Sequence, residues 1–234
     1  MYLVWRQPGQ TKDAFAQRLR TQLAAPLQLA GVRALQVNVA DADVEPAAKL
    51  KQTHTDPPIE AIVSVWVDSA IAHLRAPVDR IIAEHGRATA AYLVTESQPL
   101  RNKKHPPHIG MRTEGFAQVA LLKRPARLAA HEWLDIWHNH HTQVAIETQS
   151  TFEYTQNVVV RSLSAGAPTF DAIVEECFPA AAMTDPFTFF DAPGDEAKFQ
   201  RNLARMMDSV GRFLDLGTID VVPTSQFRLY SQIG

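Results

Sequence analysis

The strongest constraint on this chain is that it says nearly the same thing twice. Ile59-Glu60-Ala61-Ile62-Val63 is echoed by Phe170-Asp171-Ala172-Ile173-Val174. Trp5-Arg6-Gln7-Pro8 is echoed by Leu122-Lys123-Arg124-Pro125, each closing an apolar run and preceding a helix-like segment. Leu35-Gln36-Val37-Asn38-Val39 resembles Thr155-Gln156-Asn157-Val158-Val159, and Ser97-Gln98 answers Ser225-Gln226. The matches occur in one order, with the drift that insertions produce, so they imply a tandem duplication of one supersecondary unit.

Each half reads strand, helix, strand, strand, helix, strand. In the first, Tyr2 to Trp5 is a strand, and Thr11 caps a helix whose Phe15, Leu19 and Leu23 recur at helical spacing. Gly31 ends that region. Strands follow over Arg33 to Val39 and Ile59 to Val67, separated by a loop, Ala40 to Pro58. A helix from Ser69 to His85 and a strand from Ala91 to Glu96 complete the half. In the second half the strands are Phe116 to Leu122, Phe152 to Ser162, Phe170 to Phe178 and Thr218 to Val222. The helices are Ala129 to Glu147 and Asp195 to Asp215. Residues 101–115 read as a linker, basic and Pro-rich at the start. Thus the expected division is 1–100, linker, 116–234.

A βαββαβ unit is the ferredoxin-like arrangement, whose sheet carries helices on one face and leaves the other bare. The expectation is an α+β fold in which two ferredoxin-like units pack sheet to sheet as a barrel. Composition sets outer limits. Net charge is −2 and no basic block stands out, which argues against nucleic acid as a partner. No apolar run approaches the ~20 residues that span a bilayer, and the apolar start, MYLVW, is too short for a signal peptide. Cys177 is the only cysteine, which suits a reducing cytoplasm.

The stretch Trp133-Leu-Asp-Ile-Trp-His-Asn-His-His141 holds two of four tryptophans and three of nine histidines. On a helical wheel at about 100° per residue, Trp133, Trp137 and Val144 centre the apolar face. His141 lies within that face, His140 at its border and His138 nearer solvent. His141 is either a core histidine satisfied by one hydrogen bond or a pocket group acting as general acid or base. The repeat aligns Phe15, Leu19 and Leu23 with Trp133, Trp137 and His141, so a plain leucine serves where the second half has histidine. His138 and His141 could share a metal with a third ligand such as Asp171, and His141 or His140 could bind haem, but no HExxH, CxxC or haem-attachment motif accompanies them. Tyr154 and Gln156 share one face of their strand, and Asn157 the other. Asp171 and Glu60 open strands in apolar settings and are read as proton-transfer acids or as strand-end acids bound to a backbone amide. Phe187, Phe189 and Phe190 form a lid or a loop pinned to the core.

An aromatic, a Trp four residues on and a His four after that, followed by a strand with Tyr-Thr-Gln-Asn and one opening on Phe-Asp, resemble the EthD family of the dimeric α+β barrel superfamily. Here these are Trp133, Trp137, His141, Tyr154 to Asn157 and Phe170-Asp171. The chain departs from the pattern at Ala172, where Gly is expected, and at Ala129, where the helix cap is expected. The resemblance covers residues 116 to 228, and extends to 2 to 98 only through the repeat. It implies an apolar pocket for an aromatic or conjugated molecule. His141, Tyr154 and Asp171 would be candidate proton-transfer groups, and Trp133, Trp137, His140, Gln156 and Asn157 would touch the ligand. The implied chemistry is that of a cyclase, dehydratase, isomerase or cofactor-free oxygenase, with no cofactor and no metal. The alternative is a non-catalytic accessory protein that binds such a molecule, as monomer or homodimer. A haem or metal protein is the weaker alternative.

Overall fold

The computed structural model describes residues 1–233. Its strands close into an antiparallel barrel. β1 (Tyr2–Trp5), β2 (Ala34–Val39), β3 (Ala61–Trp66) and β4 (Ala88–Val94) come from the first half of the chain. From β5 (Ser97–Leu100) onward come β6 (Phe116–Leu122), β7 (Glu153–Ser162), β8 (Ala172–Phe178) and β9 (Asp220–Ser231). The order is β4-β1-β3-β2-β9-β6-β8-β7-β5, and β4 also pairs with β7 to complete the ring. The sequence 4-1-3-2 therefore appears in the first half, and its counterpart, fourth, first, third and second strand, in the second. Two seams join them. β9 pairs with β6 up to Thr224 and with β2 from Ser225 onward. Likewise β4 pairs with β1 up to Ala91 and with β7 from Tyr92 onward, and β5 continues along β7.

Alternation along the strands divides side chains between the barrel interior and the helix layer. Inside, Leu3, Trp5, Ile62 and Tyr92 pack with Val119, Leu121, Ile173 and Val222 in one apolar cluster drawn from both halves. Beside it lies a polar layer. Glu175 accepts hydrogen bonds from Gln36 (2.8 Å), Asn38 (2.6 Å) and Gln226 (2.6 Å). Burial first, then the neighbouring Glu153, raises the Glu175 carboxyl to about 7.

Outside, α1 (Lys12–Gln22), α2 (Ala24–Leu29) and α3 (Ala72–Ala83) cover the first half. Thr11 caps α1, its side chain accepting from Ala14 N, and Phe15, Leu19 and Leu23 are buried. Gly31, at φ +83°, makes the left-handed turn that releases the chain into β2. Gly115 is more tightly required: a Cβ there would lie 2.0 Å from the Phe178 carbonyl oxygen. On the second half lie α4 (Ala130–Asp135), a π-helical turn (Ile136–His141), α5 (Thr142–Thr148), α6 (Pro186–Phe189) and α7 (Glu196–Phe213).

Four expectations are corrected. The loop at 40–58 contains a 3-10 helix, Ala42–Leu50, which folds over the second half and is pinned by a bridge between Gln52 and Val221. The final strand runs to Ser231, well past Val222. Pro223 is accommodated because it falls between that bridge and the start of pairing with β2, where one ladder hydrogen bond can be spared. β5 was not expected because Ser97-Gln98-Pro99-Leu100 has no apolar alternation; only its pairing with β7 makes it a strand. The end of the linker is not free: Arg112 bridges Phe227 and Thr113 N donates to Gln226 O at 2.9 Å. Within the linker, His105 packs edge-on against Phe152 at 4.8 Å and its Nδ1 lies 2.8 Å from Glu114 Oε2.

Candidate functional site

The segment 129–147, expected as one α-helix, is α-helix, π-turn and α-helix in succession. Within the turn the Thr142 N–H reaches back five residues to the Trp137 carbonyl, which inserts one residue into the helical phase. An unbroken helix would set Thr142 at about 180° from Trp133, on the solvent side. Instead Thr142 is buried; its hydroxyl donates to Trp137 O at 2.8 Å and accepts from Gln156 Nε2 at 2.6 Å. The π-turn thus keeps Trp133, Trp137 and His141 all buried while turning Thr142 onto the sheet.

Between this helix, α7, the 180–190 segment, the 3-10 helix of the first half and the outer face of β6, β8 and β9 lies a cavity of about 710 Å³. Phe189, Phe190, Met206 and Phe213 give it an apolar wall, and Trp137 and Tyr154 form its base. That volume suits a drug-sized molecule. Trp137 Nε1 donates to the Tyr154 hydroxyl at 3.2 Å. Burial raises the Tyr154 phenol well above its usual range, so it stays protonated.

His141 lines this cavity and is 7% exposed. Its Nδ1 shares a hydrogen bond with Ser209 Oγ of α7 at 2.9 Å, and its ring lies 4.5 Å from that of Phe213. Among the described residues no hydrogen-bond partner meets its Nε2. Burial without a carboxylate neighbour lowers its pKa to about 4, so the imidazole is neutral near pH 7.

A residue that the sequence reading did not single out completes the wall. Glu176 of β8 is 8% exposed and sits opposite Tyr154 on one side and Gln118 on the other. Its Oε1 is buried with no partner among the described residues, as is Oε1 of Gln149, another wall residue. Burial pushes the Glu176 carboxyl up to about 8, which keeps it protonated at neutrality. Adjacent acids inside the apolar strand Ile-Val-Glu-Glu-Cys-Phe were the available signal: alternation sends Glu175 into the barrel and Glu176 into the cavity.

The other expected site residues stand elsewhere. Trp133 lies behind the wall, packed on Trp137 at 5.3 Å, its indole donating to Phe213 O at 2.9 Å. His140 is corrected outright: it is exposed and faces Asp135 at 3.7 Å, because the π-turn leaves it on the outer side. His138 is exposed, its ring 4.6 Å from that of Trp137 and tilted 47° to it. Gln156 supports the π-turn through Thr142, and Asn157 points into the barrel, donating to Ile173 O at 3.2 Å. Asp171 is no part of the cavity wall; its Oδ2 accepts from Arg124 N at 2.8 Å, the strand-end role. Glu60 does the same for Arg6 N at 3.0 Å. Cys177 is buried and free. Phe189, stacked 4.6 Å from Phe178, pins its loop to the core and also lines the cavity. Among the described residues no group of three His, Cys, Asp or Glu is arranged to hold a metal ion. No helix among them is long and apolar enough to cross a membrane.

No curated protein matches the sequence. A solved structure described as an anthrone oxidase-like protein shares the fold, with a TM-score of 0.57 over 100% of this chain and 93% of that one, at 8% identity. Residues 126–217 match the EthD domain, a span that runs from just before α4 through α7 and contains His141, Tyr154, Glu176 and Ser209.

Proposed function

We propose that the chain is an EthD-like small-molecule protein whose cavity takes an aromatic or otherwise conjugated molecule, and that His141 moves a proton on it. The observation that carries this reading is the setting of His141. It is buried, yet it borders a cavity of about 710 Å³ with aromatic and methionine walls. A core histidine needs no such space. Neutral imidazole with Nδ1 engaged by Ser209 leaves Nε2 for the ligand. Tyr154 would orient the ligand through its hydroxyl, and Trp137 would stack against it. The EthD match over this segment supports the reading, and the description of the fold neighbour as anthrone oxidase-like is in keeping with an aromatic ligand. The reaction class is enolisation, cyclisation, dehydration or cofactor-free oxygenation.

A second reading, binding without chemistry, has one observation in its favour. His141 is held by a serine hydroxyl rather than a carboxylate, so nothing nearby raises its basicity.

The chain is further proposed to be a tandem duplication of a ferredoxin-like unit, the first half serving as scaffold and residues 116–234 carrying the pocket. The repeated strand order supports this, and so does a repeated corner. Arg6 donates its backbone N–H to Glu60 and its guanidinium to Gln10 O; Arg124 does so to Asp171 and Leu128 O.

The test is a tryptophan-fluorescence titration with aromatic ligands on wild type and His141→Ala. Saturable quenching that weakens at least tenfold in a folded mutant is expected. Identical titrations in both proteins would remove His141 from the site.

A further inference from the structure

We infer that Glu176 is the acid partner of His141, and that the cavity selects an uncharged ketone whose oxygen accepts the Glu176 proton while His141 takes one from the adjacent carbon. This rests on the pocket reading above, adds a residue and a substrate class to it, and narrows its reaction to enolisation.

The argument begins with an unmet need. A buried polar atom without a partner costs about 1–3 kcal/mol. This wall carries two, Oε1 of Glu176 and Oε1 of Gln149. Glu176 is more than nine-tenths buried and is centred on the sheet face that floors the cavity. Its Oε1 meets no protein donor or acceptor among the described residues and is shut off from solvent as the side chain stands. A turn of the carboxyl about its last bond would bring it to a ligand oxygen in the cavity that Glu176 lines. The titratable groups facing the cavity are Lys49 from the 3-10 helix, His141 from the π-turn, Tyr154 from β7 and Glu176 itself. Lys49 is exposed, Tyr154 keeps its proton, and His141 carries no charge near pH 7. With Glu176 protonated as well, the interior wall is electrically neutral. A charged ligand would find no counter-charge beside His141, Tyr154 and Glu176, the one charged lining group being the exposed Lys49, and burial there without a partner disfavours it strongly. A neutral molecule with one carbonyl and an apolar body meets no such barrier.

The chemistry balances without an added reagent. In the tautomer whose Nδ1–H donates to Ser209 Oγ, Nε2 of His141 carries the lone pair and takes a proton from the carbon next to the carbonyl. The C–H electron pair becomes the C=C bond, and the carbonyl π pair takes the proton from Glu176. The products are an enol, an imidazolium and a carboxylate, and proton exchange with solvent after release restores both neutral groups. A carboxylic acid hydrogen-bonded to the carbonyl stabilises the developing oxyanion where water is excluded. Tyr154, directly opposite Glu176 across β7 and β8, is placed to hold the same oxygen.

The experiment uses 2-tetralone as probe and tetralin as its oxygen-free analogue. Binding is read by tryptophan fluorescence, and loss of the α-proton signal in deuterated water by NMR. Wild type is expected to bind 2-tetralone at least tenfold more tightly than tetralin and to accelerate its exchange above buffer. Glu176→Gln, which keeps volume and hydrogen bonding but has no proton to give, is expected to bind within about threefold of wild type and to exchange at least tenfold more slowly. Glu176→Leu should lose the preference for the ketone. If neither probe binds, the pocket reading itself fails. If tetralin binds as well as 2-tetralone, or Glu176→Gln exchanges as fast as wild type, the pocket reading stands and the role of Glu176 is overturned.

Discussion

Position 141 holds a histidine where the proposed duplication aligns Leu23 of the first half, and both side chains are buried. Leucine satisfies such a place by packing alone, whereas imidazole must find partners and stay neutral. Helical spacing was enough to pick out His141 and Trp137. It could not reveal Glu176, because one strand cannot say which of two adjacent acids faces a cavity and which a barrel. The two groups tilt stability in opposite directions. His141 falls from 6.5 in the unfolded chain to about 4 when folded, so below pH 6.5 the unfolded state binds the extra proton and stability drops as pH falls towards 4. Glu176 rises from 4.5 to about 8, so its contribution is complete below pH 4.5 and is lost as pH climbs through 8. Denaturant unfolding of His141→Leu and Glu176→Gln against wild type should show this. The Leu variant gains relative stability from pH 6.5 down to 5, and the Gln variant from pH 5 up to 8, with slopes approaching ~1.4 kcal/mol per pH unit at most. Parallel profiles for either pair would mean that the group is solvated.

Among the elements, the π-turn decides the most. Periodicity located the helix over 129–147 and its apolar face, but it assumed 3.6 residues per turn throughout. The extra residue appears only when the helix meets the sheet, through the pair Gln156–Thr142 and the Trp137 carbonyl. Thr142→Val removes both bonds and leaves Gln156 Nε2 buried and unpaired. It should destabilise the protein by about 1–3 kcal/mol. Adding Gln156→Leu should cost less than the sum of the two single changes, because the partners act as one unit. Thermal or urea unfolding of the cycle checks this, and strict additivity would show that the turn does not depend on the pair. The short β5 and the long β9 teach the same lesson: pairing across the barrel extends strands through Pro99 and Pro223, where local pattern alone predicts an end.

For the molecule as a whole, the echoes led to an α+β expectation, and the closed antiparallel barrel with helices outside it agrees with that class. What they could not show is how far the halves interpenetrate. Phe227 and Leu229 of β9 belong to the core beneath α1 and α3, and Arg20 of α1 lies 4.0 Å over the Phe227 ring. The 3-10 helix of the first half, in turn, closes one side of the cavity in the second. Cores shared in this way unfold together. Tryptophan emission of a Trp5→Phe, Trp66→Phe variant, which reports only Trp133 and Trp137, and its far-ultraviolet circular dichroism should give coincident urea transitions; two separated midpoints would show halves that fold independently.

The central claim is that the ligand sits against His141. The most direct measurement is anomalous diffraction from crystals soaked with 6-bromo-2-tetralone. A bromine peak within the cavity bounded by Trp137, Met206 and Phe213, with the carbonyl oxygen towards Glu176, is the predicted result. A bromine peak at any other place, or an empty cavity at saturating ligand, would contradict it.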